Sequence, residues 1–467
     1  MSRHVRVAII GAGSAGLTAM SQVSRVTESF VLIDGGELGT TCARVGCMPS
    51  KALIQIAEDY HRRIQFGREG IEGAEALGVY GEQVLEHTQN LRDLFVDKVL
   101  SSTTDDLDDR FIPAQARFTG PGRLAVDGET LTADRVVIAT GSSPILPAAW
   151  RGFGDRILTT DQVFELERLP ASLAIIGLGI VGLELGQAFS RLGVKTAGFD
   201  RLNRIGNLRD EKMNALAVEL IGRDFPLHLG AAVELSEAAH GQVTVSAGNE
   251  AATVEKVLVG MGRTPNLAAL DLAAAGIATN AAGMPEFDRE TMQVKGHAVY
   301  LAGDVTGERA VLHEAIDEGR IAGLNAVADH TSRYRRKTPL TIAFTDPNIV
   351  AVGDVPETVD PDRIITASTQ INMLGRALVM GRNRGALTLY AARSDGRLLG
   401  ALLVAPGAEH LGHLLAWAIQ MGMTAAQAIR MPFYHPVLEE ALQPVLRELA
   451  THTQHKPQWP LDLEQLT

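Results

Sequence analysis

Cysteine is nearly absent: the 467 residues contain two, Cys42 and Cys47. One disulfide cannot staple a chain this long, so a disulfide scaffold is excluded. Two thiols also fall short of a tetrahedral zinc site, and no metal is expected. Positive charge is in deficit, with 43 Lys and Arg against 55 Asp and Glu and a formal charge of −12. That argues against nucleic-acid binding through a basic face. No apolar run reaches the ~20 residues that span a bilayer, so no membrane association is expected. Residues 1–4 lead straight into an apolar strand, without a signal-peptide core or an Arg-rich transit sequence. Gly and Pro are too few for a low-complexity chain. The expectation is a soluble, cytoplasmic globular protein of about three domains at roughly 150 residues each.

What is present is an internal repeat. Ala8-Ile9-Ile10-Gly11-Ala12-Gly13-Ser14-Ala15-Gly16-Leu17 recurs as Ala174-Ile175-Ile176-Gly177-Leu178-Gly179-Ile180-Val181-Gly182-Leu183. Each copy reads as strand, glycine-rich turn and helix. Each is followed by a second apolar run ending in an acid, Asp34 or Asp200, 23 residues after the first glycine. The first glycine permits the tight turn, the second admits a pyrophosphate, and the third lets the helix pack on the strand. The helix N-terminus offers free N–H groups to phosphate, and the acid accepts from ribose hydroxyls. The spacing therefore predicts two dinucleotide folds.

Two further apolar runs end in glycine, at 136–141 and 257–262, and read as the strands that close each fold. The run 299–303 ends at Asp304. Residues 338–343, 386–392 and 398–404 suggest an antiparallel sheet, followed by helices over 409–421 and 438–449. The last dozen residues, with Pro457 and Pro460, read as a loose tail. The fold class is α/β, with two Rossmann-like domains and a C-terminal α+β domain. The expected divisions are 1–150, 151–268, a central segment 269–338 that completes the first cofactor site, and 339–467.

These motifs, taken with Cys42-x4-Cys47, Ala139-Thr140-Gly141, Glu184, Gly262-Arg263-Thr264-Pro265-Asn266, Ala302-Gly303-Asp304 and His435-Pro436…Glu440, resemble the FAD-dependent pyridine nucleotide–disulfide oxidoreductases. The likeness is strongest to dihydrolipoyl dehydrogenase and covers nearly the whole chain. It implies FAD, a nicotinamide cofactor and a homodimer with shared active sites. It implies FAD contacts from Gly11, Gly13, Gly16, Asp34, Thr41, Lys51, Thr140, Gly141, Asp304 and Ala315. It implies nicotinamide-dinucleotide contacts from Gly177, Gly179, Gly182, Asp200, Gly262 and Arg263.

The resemblance makes Cys47 the thiol beside the flavin and Cys42 the one that forms a mixed disulfide with substrate. Pro49 suits the first turn of a helix that starts near Cys47, and a helix N-terminus favours thiolate. Lys51 and Glu184 pair near the flavin in the family. His435 and Glu440 form the family's acid/base pair, which reaches into the partner subunit's active site. Two positions depart from the pattern. Arg44 stands where the family usually carries Asn, and Phe433 where many dihydrolipoyl dehydrogenases carry a second His.

Asp200 favours NAD, because a carboxylate there repels a 2′-phosphate. Arg201 and Arg204 would hold that phosphate, which keeps NADP as the alternative. The leading expectation is oxidation of a small dithiol, dihydrolipoamide, free or carried on a lipoyl protein. The rivals are an NADPH-dependent disulfide reductase of the glutathione reductase kind and a non-catalytic dinucleotide-binding protein.

Overall fold

The structure is a computed structural model that describes residues 3–101, 103, 107–354, 360–454 and 460–463. The first sheet has a parallel core in the order Phe111–Ile112, Phe30–Ile33, Arg3–Ile10, Glu129–Ile138 and Val299–Leu301. The strand Arg3–Ile10 is buried along its second half, as expected of a parallel strand covered on both faces. The N-terminal part of Glu129–Ile138 stays paired with Arg3–Ile10 on one edge and on the other pairs antiparallel with Arg123–Val126, which pairs with Ala116–Gly120. The run 136–141 is therefore not the closing edge of its sheet, because Val299–Leu301 lies beyond it.

The helix Ser14–Val23 packs on the helix Leu312–Val327. The crossing is close because two glycines face two alanines. A Cβ on Gly319 would sit 2.2 Å from the Ala15 carbonyl oxygen, and one on Gly323 would sit 2.6 Å from that of Ala19. This contact brings residues 303–315 against the first glycine-rich turn, with the Ala15 and Ala315 side chains both beside Gly303.

The second sheet is wholly parallel, in the order Leu227–Leu229, Lys195–Asp200, Ser172–Ile176, Lys256–Val259 and Ile157–Leu158. Ile157–Leu158 lies outside the expected closing strand, as Val299–Leu301 does in the first sheet. A three-stranded antiparallel sheet over 233–254 packs against one face. A two-stranded ribbon, Ser142–Pro144 with Arg263–Pro265, ties the two dinucleotide folds together.

The C-terminal sheet is antiparallel, in the order Leu340–Ala343, Asn348–Gly353, Leu398–Ala405, Ala386–Ala392 and Ile364–Gln370. The helices Ala408–Gln420 and Leu442–His452 cover it, sharing one apolar core with it. The expected helix over 438–449 is in fact a 3₁₀ turn, Leu438–Ala441, followed by the longer helix. The expected loose tail is partly wrong. Leu461 is buried in this core, its carbonyl accepts from Arg430 Nε at 3.3 Å, and Asp462 pairs with Arg447 at 3.0 Å. Pro457 lies outside the described residues. Among the described residues, no helix is long and apolar enough to cross a membrane.

Candidate active site

The two cysteines flank a tight turn. Thr40 caps the short helix Thr41–Arg44, with its Oγ1 accepting from the Ala43 N–H at 3.2 Å. The next helix, Cys47–His61, starts at Cys47 itself, so this thiol lies among free N–H groups at the positive end of the dipole. Both cysteines are free thiols, and Cys47 is exposed. The Cys42 thiol donates a hydrogen bond to Cys47, which lowers the Cys47 pKa to about 7, and the Lys51 charge acts in the same direction. The same hydrogen bond, with burial, pushes the Cys42 thiol up. The reduced pair is thus polarised: Cys47 is the thiolate and Cys42 keeps its proton.

Lys51 lies one helical turn past Cys47. Its Nζ donates to Glu184 Oε2 at 2.8 Å and sits 4.6 Å from the centre of the Phe344 ring. Glu184 is 2% exposed, a burial that an unpaired carboxylate would not tolerate. Its other oxygen accepts the Phe344 N–H at 2.9 Å. On the same face of that helix, Gln187 Oε1 accepts the Asp346 N–H at 2.8 Å, and Arg191 pairs with Asp224 at 3.1 Å and Asp346 at 3.3 Å. The helix Ile180–Arg191 of the second fold is thereby fastened to residues 344–346 of the C-terminal domain, and Lys51 is fixed between them. Phe344, Gln187 and Arg191 carry no motif; only the fold brings them here.

The first glycine-rich turn opens a cavity of about 620 Å³. Gly11, Gly13, Asp34, Thr41, Thr140 and Gly141 all line it. Gly11 has φ +108°, and a Cβ there would lie 2.3 Å from the Ala139 carbonyl oxygen, so only glycine fits. Gly16 supports the turn from behind: its Cβ would strike the Gly11 carbonyl oxygen at 1.8 Å. Asp34 is held by the Ala12 N–H at 2.6 Å and the Gly36 N–H at 2.7 Å.

Asp304 stands outside this lining and accepts from Ser142 Oγ at 2.9 Å. Gly303 before it is held by Glu318 Oε2 at 2.8 Å, and Glu318 is in turn paired with Arg336. Ala315 lies in the first turn of the helix Leu312–Val327. Its N–H is used by the Val311 carbonyl at 3.1 Å, so the helix's open amides are those of the preceding residues.

The second turn repeats the first. Gly177 has φ +95° and abuts the Gly260 carbonyl oxygen, and Gly182 packs behind it. Asp200 accepts from the Leu178 N–H at 2.7 Å and the Leu202 N–H at 2.9 Å, as Asp34 does in the first copy. Gly179 precedes the helix as its cap. Gly262 leads into the two-stranded ribbon. Arg263 is turned away from this second turn: its guanidinium is committed to Ser142 at 2.7 Å and 2.6 Å and lies 4.0 Å from Asp304. It braces the joint between the folds.

At the C-terminal domain, His435 Nδ1 lies 2.9 Å from Glu440 Oε1, and Glu440 Oε2 accepts the Val437 N–H at 3.1 Å. Both contacts hold the Glu440 carboxyl below its usual range. His435 is 78% exposed. Tyr434, Trp417 and Met421 of this domain are also exposed. His410 and His413 are exposed, and no cluster of metal-ligating side chains occurs among the described residues.

The arrangement defines a class: two dinucleotide-type turns on one chain, with a polarised dithiol at the N-terminus of a helix beside the first. The pyridine nucleotide-disulphide oxidoreductase family matches residues 5–319, and that family's dimerisation domain matches residues 339–446. The chain belongs to this family. It is an oxidoreductase of the dihydrolipoyl dehydrogenase-like type, with FAD and a pyridine nucleotide as cofactors. Its dimerisation domain marks a homodimer.

Dihydrolipoyl dehydrogenase 3 of Haloarcula marismortui is 30% identical over 96% of this chain and 97% of its own length. A mercuric reductase of Lysinibacillus sphaericus is 28% identical, covering 89% of this chain and 77% of that one. The solved structure of LpdA from Mycobacterium tuberculosis has a TM-score of 0.83 at 24% identity, covering 95% of this chain and 99% of that one.

The thiol assignment carries a pH signature. Thiolate at Cys47 of the reduced protein should appear as pH rises through about 7. Lys51→Met removes a stabilising cation, so the midpoint should move to higher pH. Absorbance of the thiolate in the reduced protein across a pH titration checks both. An unmoved midpoint would detach Lys51 from Cys47.

Proposed function

We propose that the protein oxidises a small dithiol of the dihydrolipoamide kind and passes the electrons to NAD. The observation that carries this is the polarised pair Cys42–Cys47 fixed beside Lys51 and Glu184, next to the cavity lined by Gly11, Gly13 and Asp34. The identity with a dihydrolipoyl dehydrogenase over almost the full length supports the choice of substrate. The glycine cradle, the Asp34 carboxylate and the free amides of Ser14–Val23 suit FAD, and Thr41, Thr140 and Gly141 would complete its hold. Bound there, FAD supplies a two-electron path between a thiol pair and a nicotinamide.

His435 takes a proton from the substrate thiol, oriented by Glu440. The resulting substrate thiolate attacks Cys42 Sγ of the oxidised pair. The Cys42–Cys47 bond breaks, Cys47 leaves as thiolate, and a substrate–Cys42 mixed disulfide forms. The second substrate thiol loses its proton and attacks the substrate sulfur of that bond. This closes the substrate disulfide and releases Cys42, which regains a proton. Lys51 balances the negative charge left at Cys47. Because His435 is exposed on its own chain, in the domain that matches the family's dimerisation unit, we assign each site one chain's cysteines and the other chain's His435 and Glu440. The cytoplasm, where thiols stay reduced, suits such cycling.

Asp200, pinned by two backbone amides, favours NAD: it accepts from the ribose hydroxyls and repels a 2′-phosphate. A second reading is an NADPH-dependent disulfide reductase. A hollow of about 260 Å³ beyond Asp200, walled by Arg204 and Arg209, favours it. Asp200→Ala should weaken NADH use about tenfold, as expected for losing a charged hydrogen bond, and improve NADPH use. Steady-state kcat/KM for the two cofactors checks this, and an unchanged ratio would place the adenosine ribose elsewhere. Anaerobic addition of dihydrolipoamide to the purified protein tests the reading itself. Bleaching of a flavin band, restored by NAD, is expected; no response to the dithiol would refute it.

A further inference from the structure

Between the two cysteines, where the family usually carries Asn, this chain carries an arginine. Arg44 ends the helix Thr41–Arg44 and joins the wall of the 620 Å³ cavity that Gly11, Gly13 and Asp34 also line. Among the lining residues it is the one Lys or Arg, set against two carboxylates, Asp34 and Glu37. Its Nη1 pairs with Glu37, whose side chain is 78% exposed. An ion pair so open to water contributes little. Arg44 Nε is buried and has no hydrogen-bond partner among the described residues. A charged group with a buried, unmet donor carries a free-energy cost that an anion beside it would relieve.

Asp34 suits ribose hydroxyls and Glu37 is an acid, so neither balances a diphosphate. The backbone amides at the first turn supply only partial charges. Arg44 supplies the one full positive charge in the lining, on a planar fork that matches phosphate oxygens. We propose that Arg44 is a binding residue for the diphosphate of FAD, giving up or sharing Glu37 when the cofactor is seated. This rests on the flavin reading of the cavity given above. Since Arg44 lies two residues after Cys42 and three before Cys47, the hold on the cofactor and the placement of the redox turn become one structural unit.

The test uses the purified holoprotein, diluted to nanomolar concentration, with FAD release followed by the rise of free-flavin fluorescence. Arg44→Gln should speed release by about tenfold or more, as expected for losing a hydrogen bond to a charged group. Wild-type release should quicken with added salt, and release from Arg44→Gln should depend on salt less. Glu37→Gln should not speed release, because it removes only the competitor for Arg44. If Arg44→Gln does not accumulate as folded protein, Arg44→Lys carries the test, with release between wild type and tenfold faster. Equal release from wild type and the Arg44 variants, or equal acceleration by Glu37→Gln, would overturn the proposal and leave Arg44 as a structural partner of Glu37. A wild-type protein that purifies without flavin would overturn instead the flavin reading on which it rests.

Discussion

Cys42→Ser should abolish dithiol turnover while the protein keeps its flavin and its Cys47 thiolate. A serine hydroxyl can neither form nor break a disulfide, so no mixed disulfide with substrate can arise. Cys47→Ser should abolish turnover as well, and with it the thiolate absorbance of the reduced protein. The two variants separate because the roles differ. In the proposed mechanism Cys42 keeps its proton and meets substrate, whereas Cys47 is the thiolate at the helix start. Cys42→Ala, unlike Cys42→Ser, removes the donor and should raise the Cys47 midpoint above about 7, since the hydrogen bond from Cys42 is the largest cause of its low value. Rates with dihydrolipoamide, together with a pH titration of the reduced variants, check both statements. Turnover retained in Cys42→Ser would reverse the assignment.

The second large effect concerns His435. His435→Gln should lower kcat by about a hundredfold to ten-thousandfold, the range of general acid–base catalysis. Glu440→Gln should cost less, because the imidazole remains but loses the carboxylate that selects its tautomer. The site should also be shared. His435 is exposed on its own chain, in the domain that matches the family's dimerisation unit. A mixture of Cys42→Ser and His435→Gln subunits, each nearly inactive alone, should therefore recover activity. With free exchange, half of the dimers are mixed and each has one intact site of two, so about a quarter of wild-type activity is expected for a symmetric dimer. No recovery, with mixed dimers shown to be present, would place Cys42 and His435 of a single site in one chain.

Local signals were legible in the sequence where local geometry demands one residue type. Gly11 and Gly177 sit at positive φ against a neighbouring carbonyl, so the repeat announced both turns and both acids, Asp34 and Asp200. The start of the helix at Cys47 was legible from Pro49. Contacts made by distant segments were not. Phe344, which both donates to Glu184 and faces Lys51, lies 160 residues from Glu184 and belongs to no motif.

Strands with mixed polarity were missed too. Ile364–Gln370 alternates polar and apolar residues too weakly to stand out, yet its partner Ala386–Ala392 gives it a register of seven pairs. The bracing role of Arg263 was hidden too, because its neighbours in sequence belong to the nucleotide strand, whereas its side chain reaches Ser142 across the joint. The same argument explains Leu461. Pro457 and Pro460 suggested a loose end, but Leu461 is buried in the C-terminal core and is flanked by contacts to Arg430 and Arg447.

The most direct measurement is a matrix of kcat/KM for the purified flavoprotein, pairing dihydrolipoamide with NAD and with NADP, and glutathione disulfide with NADH and with NADPH. The highest value is predicted for dihydrolipoamide with NAD. A highest value for glutathione disulfide with NADPH, with dihydrolipoamide inert, would contradict it.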